Sequence, residues 1–168
     1  DINAIAFSAA PGLAPCLVVG MKFAKSKSNE LKIPIIPVNH CVAHLEIGKI
    51  TGASDPVLLY ASGANTQIIA YAGGKYRVFG ETLDIGVGNF IDNFARFLGI
   101  GFPGGPKIQE LASKSNNYIE LPYSIKGMDV SFSGILTKLK QMKESKEYSD
   151  EDLCFSLQET VFAMLIEA

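Results

Sequence analysis

The chain contains two histidines, His40 and His44, which are four residues apart. On a helix this spacing places both imidazoles on one face, where their nitrogens can bind a single cation. The alternative is a helix that directs two polar side chains towards a cleft without binding a metal. Because two nitrogens leave a metal under-coordinated, at least one oxygen ligand has to come from elsewhere in the protein. We predict a metal-binding pair.

The residues around this pair differ from those of a zinc-protease helix. In that helix a glutamate directly after the first histidine acts as general base on the metal-bound water. Cys41 stands at this position, and Glu46 lies two residues beyond His44, about 200° around the helix. A hydrolytic metalloprotease mechanism therefore lacks its base in this segment.

A glycine-containing turn over residues 60–66, with the sequence YASGANT, is the second feature that could bind a ligand. Glycine and small side chains allow backbone N–H groups to approach an oxyanion. We expect Ser62, Asn65 and Thr66 to add hydroxyl and amide donors. Ordinary hairpin turns have similar sequences, so phosphate contact and a plain turn both remain open.

A second glycine-rich loop, residues 101–106, leads into a helix, and Gly104 and Gly105 would allow a ligand close to its N-terminus. Asp92, on the preceding predicted helix, lies off the buried face and could accept ribose hydroxyls. An exposed Asp92 paired with Arg96, four residues later, explains the spacing equally well.

The hydrophobic periodicity that must position these residues predicts an α/β chain. Strands are predicted at 3–8, 33–38, 57–61, 67–72 and 76–79, the last three as a meander. Helices are predicted from 13, with a polar tail over 22–32, then at 39–50, 87–98, 106–114, 134–143 and 150–168. We expect Asn39 and Ser149 to be N-caps, Gly99 to end a helix, and the polar tail of the first helix to lead into a solvated loop.

The composition excludes several classes of protein. Fifteen Lys and Arg residues against 17 Asp and Glu residues give a net charge of −2 and a pI near 5.7, which argues against a free-standing nucleic-acid binder. Hydrophobic residues make up 48% of the chain, which excludes general disorder, and no apolar run is long enough to span a membrane.

Cys16, Cys41 and Cys154 predict reduced core cysteines of a cytosolic protein. Both ends of the sequence have the character of cut ends, so we expect a fragment that lacks both termini of a longer protein.

Five motifs in order resemble the tRNA threonylcarbamoyladenosine transferase family, long labelled O-sialoglycoprotein endopeptidase or glycoprotease. They are VNHCVAH at 38–44, YASGANTQ at 60–67, GETLD at 80–84 with Gly88-Asn89, PGGP at 103–106 and SFSG at 131–134. The segment DIGVGN at 84–89 is closer to the archaeal and eukaryotic branch of the family than to the bacterial one. The resemblance implies a two-lobed actin-like, sugar-kinase-like (ribonuclease H-like) fold, here incomplete. Residues 1–55 would finish the first lobe and residues 56–168 would begin the second.

The resemblance also implies a set of site residues. His40, His44 and Tyr60 would bind one divalent metal, iron or zinc, completed by an aspartate beyond residue 168. An adenine nucleotide or threonylcarbamoyl-adenylate would be bound by Tyr60, Ala61, Ser62, Gly63, Ala64, Asp92, Gly105 and Gln109. Two residues depart from the family pattern: Ala64 replaces a loop glycine, and Gln109 stands where the family has an acidic residue on the ribose.

The implied activity is transfer of a threonylcarbamoyl group from the adenylate to the N6 amine of an anticodon-loop adenosine in tRNA. The implied partners are KEOPS-type subunits, including a small protein kinase, and tRNA held through that complex. The implied location is the cytoplasm, with the nucleus as a further compartment. A metalloendopeptidase and a non-catalytic nucleotide-binding scaffold are the alternative functions, and this fragment alone is expected to be inactive.

Overall fold

The computed structural model describes residues 2–168 and shows a mixed α/β chain, as the sequence predicts. The chain divides into two compact units. The first comprises the residues up to Leu58 together with Ala70–Tyr76, and the second comprises Leu59–Ile69 and Arg77–Ala168. The two-lobe assignment at 55/56 stays a prediction.

The first unit is built on a parallel strand pair, which needs a crossover connection between its strands. Strands β1 (Ile5–Ala10) and β2 (Ile35–Asn39) pair in parallel, and helix α1 (Ala14–Leu31) makes the crossover. Helix α2 (His40–Ile47) follows β2 directly and continues into a 3₁₀ turn at Gly48–Thr51. The histidine pair therefore begins where β2 ends.

Helix α1 includes the predicted polar tail. The polar segment stays helical to Leu31, where Lys32 adopts a left-handed φ of 55° and ends the helix. The Lys27 and Glu30 side chains pair across one turn at 2.7 Å. The polar residues at the end of the apolar pattern are therefore the last turns of the helix.

The three predicted strands of the meander are confirmed as β3 (Leu58–Ala61), β4 (Thr66–Ala72) and β5 (Lys75–Glu81), in the sheet order β3–β4–β5. The turn at residues 62–65 joins the first two strands. The glycine pair Gly73-Gly74, with φ of 59° and 77°, joins the last two.

Helices dominate the second unit. They are α3 (Val87–Phe97), α4 (Gly104–Ala112), α5 (Ser133–Ser145) and α6 (Asp150–Glu167). Ser149 caps α6 by accepting a hydrogen bond from the Asp152 amide at 3.1 Å, as predicted. A two-residue antiparallel pair, β6 (Ile125–Lys126) with β7 (Asp129–Val130), was not predicted, because strands this short carry no periodic signal.

The second unit contains a continuous core at which its four helices meet. Phe90, Phe94, Phe132, Leu139 and Leu153 are fully buried there, and each is 0% exposed. In the described part of the first unit, the buried hydrophobic residues are Ala24, Cys41 and Leu45. The candidate site residues of the second unit thus lie on a large hydrophobic core, whereas those of the first unit lie on a small one.

The cysteine prediction is partly wrong. Cys41 and Cys154 are buried, but Cys16 is exposed on α1, and all three are free thiols. Burial raises the pKa of the Cys154 thiol to about 12, with smaller contributions from Asp150 and Glu151. Among residues 2–168, no helix combines the length and the apolar character that a membrane crossing requires.

Candidate functional site

The histidine pair lies in the first turns of α2, where a side-chain cap fixes the start of the helix. Asn39 is the N-cap, and its Oδ1 accepts a hydrogen bond from the Val42 amide at 3.1 Å. The helix therefore begins at His40, and His44 follows one turn later on the same face. Their Nε2 atoms lie within hydrogen-bonding distance of each other, at 3.2 Å, and the ring planes are inclined by 86°.

The separation of these nitrogens fits two ligands of one metal ion. Imidazole nitrogens about 2.05 Å from a tetrahedral zinc lie roughly 3.3 Å apart, close to the spacing of this pair. His44 is exposed and His40 is partly exposed. No group of three or more His, Cys, Asp or Glu side chains suited to a metal occurs within residues 2–168. The pair itself could supply two ligands, and Tyr60, the third predicted ligand, belongs to the second unit.

The neighbours of the histidines on α2 are unsuited to act as a general base. Cys41 is buried, and burial raises the pKa of its thiol. Glu46 accepts hydrogen bonds from Lys49 Nζ at 2.8 Å and from the Tyr76 hydroxyl at 2.5 Å. These two hydrogen bonds, from Lys49 first and Tyr76 second, lower the pKa of Glu46. The carboxylate is therefore both weakly basic and already paired.

The turn at residues 62–65 is held together by its own serine. The Ser62 amide donates to the Asn65 carbonyl at 2.8 Å, and Ser62 Oγ accepts from the Asn65 amide at 3.2 Å. The expectation that Thr66 adds a donor for a ligand is wrong. Thr66 is 2% exposed, and its Oγ1 accepts a hydrogen bond from the Val87 amide at 2.8 Å.

The same turn rests on the N-terminus of α3. The amides of Gly88 and Asn89 donate to the carbonyls of Ser62 and Gly63, at 3.0 and 2.9 Å. A Cβ atom at Gly86 would lie 2.5 Å from the backbone of the turn, and one at Gly88 would lie 2.8 Å from Gly63 Cα. Only glycine permits this approach of two backbones. The Gly-x-Gly spacing at 86–88 was the available signal, and the sequence analysis did not assign it this role.

Asp92, on α3, is hydrogen-bonded to the second glycine-rich loop. Its Oδ1 accepts a hydrogen bond from the Gly104 amide at 2.8 Å, which caps α4 from the neighbouring helix. The alternative, an Asp92–Arg96 pair, is not formed: the Arg96 guanidinium donates to Asn93 Oδ1 instead, at 3.2 Å. Asp92 is partly exposed.

A cleft of about 490 Å³ lies next to this loop, entirely within the second unit. Two predicted ligand residues, Gly105 and Gln109, line it one helical turn apart. The remaining lining residues are Ile91, Ile108, Ser113, Leu157, Gln158, Val161 and Phe162. Mostly apolar clefts with a few polar groups are typical of small-molecule sites. The contribution of α6 was missed by the sequence analysis, because its residues carry the pattern of an ordinary amphipathic helix.

Comparison with known proteins gives a consistent result over the whole chain. The family described as TsaD, tRNA N6-adenosine threonylcarbamoyltransferase, matches residues 1–168. The Thermococcus kodakarensis protein named tRNA N6-adenosine threonylcarbamoyltransferase is 58% identical over 167 residues, which are 99% of this chain and 51% of that protein. The protein of the same name from Methanocella arvoryzae is 54% identical over 99% of this chain and 51% of its own length.

A longer relative comes from Methanothermobacter thermautotrophicus and is named probable bifunctional tRNA threonylcarbamoyladenosine biosynthesis protein. It is 56% identical over 99% of this chain and 31% of its own length. The chain thus spans about half the length, or less, of these curated relatives.

Proposed function

Because the chain belongs to the tRNA N6-adenosine threonylcarbamoyltransferase family, we propose that the protein containing it transfers a threonylcarbamoyl group to the N6 amine of an adenosine in tRNA. The family has the actin-like fold, and this chain is part of it. The observation that carries the proposal is the unbroken match over all 168 residues, at 58% identity to a curated transferase.

In the proposed reaction the N6 amine attacks the carbamoyl carbon of threonylcarbamoyl-adenylate. The new N–C bond replaces the bond between the carbamoyl carbon and the phosphate oxygen. AMP leaves, and the amine releases a proton to water. The turn at Ser62–Asn65 and the cleft lined by Gly105 and Gln109 would hold the adenylate, so that proximity contributes much of the rate enhancement. Asp92 uses Oδ1 to cap α4, which leaves Oδ2 to accept a ribose hydroxyl.

A divalent metal, iron or zinc, is the cofactor we propose for His40 and His44. The 3.2 Å between their Nε2 atoms supports a shared ion, with Tyr60 and residues outside this chain as further ligands. Such an ion would supply Lewis-acid stabilisation of charge that develops on substrate oxygens.

The charge of the chain supports tRNA binding through partner subunits. Tight binding to tRNA requires cations that neutralise phosphates, but the net charge here is −2. In the basic segment 138–146, Lys143 pairs with Asp150, and Lys140 lies over the Phe97 ring at 5.3 Å. We therefore propose KEOPS-type partners, including a small protein kinase, and a cytoplasmic location with the nucleus as a further compartment.

The direct test uses the full-length protein with its partner subunits, tRNA and threonylcarbamoyl-adenylate. We expect N6-threonylcarbamoyladenosine to accumulate in the tRNA, as measured by mass spectrometry of its nucleosides. Adenylate binding without transfer would contradict the proposal and favour a nucleotide-binding scaffold. Cleavage of a sialoglycoprotein that stops on chelation would favour the metalloendopeptidase, which the pairing of Glu46 and the burial of Cys41 make the weaker candidate.

A further inference from the structure

Two sequence motifs that have no part in the proposed chemistry meet at the carboxylate of Asp84. Residues 80–84 carry Asp84, and residues 131–134 carry Phe132 and Ser133. Asp84 Oδ1 accepts from the Phe132 amide at 3.0 Å, and Oδ2 accepts from the Ser133 amide at 2.9 Å and from Ser133 Oγ at 2.5 Å. The Ile85 amide donates to Oδ1 as well, at 2.6 Å. One carboxylate thus links two segments that are 48 positions apart.

This carboxylate acts as the cap of α5. Phe132, the N-cap residue of that helix, has no side-chain cap of its own, and Asp84 supplies a negative charge at the helix N-terminus. Partial burial would raise the pKa of Asp84. The hydrogen bonds from Phe132, Ser133 and Ile85 outweigh that effect and lower the pKa to about 2. The group is therefore a carboxylate at any physiological pH.

The loop that carries Asp84 is also hydrogen-bonded to Thr66, the first residue of β4, which directly follows the turn at residues 62–65 (here called the ligand turn). The Thr82 amide donates to the Thr66 carbonyl at 2.9 Å, and the Val87 amide donates to Thr66 Oγ1 at 2.8 Å. Beyond the loop, Gly88 and Asn89 hold the carbonyls of the turn itself. The turn, the loop and the start of α5 therefore form one chain of hydrogen bonds within the second unit.

We propose that Asp84 is a positioning residue for the ligand-binding turn at residues 62–65. Its carboxylate fixes residues 82–87 against the N-terminus of α5, and this fixed loop holds the turn in its binding conformation. The inference rests on the proposed function, because the ligand of the turn is taken to be an adenylate. It assigns a role to the motifs at 80–84 and 131–134, which supply the acceptor and its donors.

The test compares two carboxylate variants of the full-length protein. In Asp84→Asn, either amide orientation turns an NH₂ group towards backbone N–H donors, so the link is weakened. In the control, Asp152→Asn, a carboxylate that accepts from Ser115 Oγ and Asn117 Nδ2 is lost from α6, away from the turn. We expect Asp84→Asn to bind a non-hydrolysable ATP analogue about tenfold more weakly in calorimetry, and Asp152→Asn to stay within about twofold of the unmodified protein. Both variants should lose some thermal stability.

A second measurement reports on the turn without a ligand. The amides of Gly88 and Asn89 should exchange hydrogen faster in Asp84→Asn than in the unmodified protein, and at unchanged rates in Asp152→Asn. In transfer assays, the KM for threonylcarbamoyl-adenylate should rise about tenfold in Asp84→Asn, while kcat falls less than about threefold. If Asp84→Asn does not fold, Ser133→Ala removes one donor and should give the same changes at about a third of the size.

The outcomes separate this inference from the proposed function. Unchanged binding in Asp84→Asn, or equal losses in both variants, would overturn the positioning role. Faster exchange at Gly88 and Asn89 in a protein that binds no nucleotide in its unmodified form would leave the link between Asp84 and the turn standing. In that case the proposed function would fail. Unchanged exchange in that protein would overturn both.

Discussion

The histidine pair and the ligand turn are positioned in different ways. The pair depends on one helix: Asn39 starts α2, and the helical repeat brings His40 and His44 together. The turn depends on partners far along the chain, since its carbonyls are held by the start of α3. The first site is therefore local, and the second is a product of tertiary structure.

This contrast teaches where each site is vulnerable. The described core of the first unit includes only small or medium side chains, but a capped helix needs little packing to keep two residues one turn apart. The turn has a dense helical core behind it, and it is sensitive to any change that moves one backbone relative to another. Substitutions in α2 should thus affect the histidine pair alone, whereas substitutions far from the turn in sequence, such as those at the start of α3, should affect the turn.

The largest effect is expected from removing the histidine pair. In the full-length protein, His40→Ala combined with His44→Ala should abolish metal binding and lower transfer at least about 100-fold, because no nitrogen ligand remains in this chain. Nucleotide affinity should change little if the two sites are independent. Metal analysis and modified-nucleoside formation are the measurements, with Lys49→Gln, in the 3₁₀ turn that follows α2, as the control. Full activity without metal would refute the metal role.

The next largest effect is expected at the turn, from Gly86→Ala. The new Cβ would meet the backbone of Gly63 and Ala64 at about 2.5 Å, so the turn must shift. We expect a loss of about 1–3 kcal/mol in stability and a nucleotide affinity about tenfold weaker, with metal content retained. Gly134→Ala is the matched control, since its Cβ meets nothing within 4 Å, and alanine in α5 should stabilise by about 0.5–1 kcal/mol. Equal affinities in the two variants would contradict the close-approach argument.

A smaller effect should appear in acid. The pKa of Asp84 lies at about 2 in the folded chain, against 3.8 for an ordinary aspartate. A lowered folded-state pKa contributes stability above the unfolded value, and this contribution is lost as the pH falls from about 4 towards 2. After allowance for solvent exposure, Asp84→Asn should remove on the order of 1 kcal/mol of this dependence. Thermal midpoints at pH 6 and pH 2.5 test it, and parallel curves for both proteins would count against the link.

The smallest effect is expected at Gln109, at a position where the resemblance implies an acidic residue in the family. Gln109→Glu should bind an adenine nucleotide about threefold more tightly, because a carboxylate accepts a ribose hydroxyl better than an amide does. Gln109→Ala should bind about threefold more weakly. Glu110→Gln, which loses only a surface pair with Lys114, serves as the control in the same calorimetric titration. Identical affinities would remove Gln109 from the binding site.

The sequence predicted the elements that depend on neighbouring residues. Both N-caps, Asn39 and Ser149, are confirmed, as is the left-handed Gly99 after α3, with a φ of 77°. The facing of His40 and His44 follows from the helical repeat and is confirmed too. These features involve separations of at most four residues, which a single segment of sequence can specify.

Contacts between distant segments were not predictable in the same way. The hydrogen bond from the Val87 amide to the buried Thr66 joins residues 21 positions apart, and the one from the Gly104 amide to Asp92 joins residues 12 positions apart. Periodicity describes the faces of one element and carries no information about which loop meets which helix.

The cap that Asp92 places on α4 has a consequence for ligands of the neighbouring cleft. The hydrogen bond from the Gly104 amide to the Asp92 carboxylate joins the middle of α3 to the start of α4, so a molecule bound to Asp92 would also stiffen the entrance of the cleft beside Gly105. In the proposed nucleotide complex, a contact to the ribose at Asp92 would therefore also favour the contacts that the base makes in the cleft. Ligand fragments, such as adenine or ribose phosphate alone, should bind less well than their separate contacts imply, because neither fragment orders the entrance by itself.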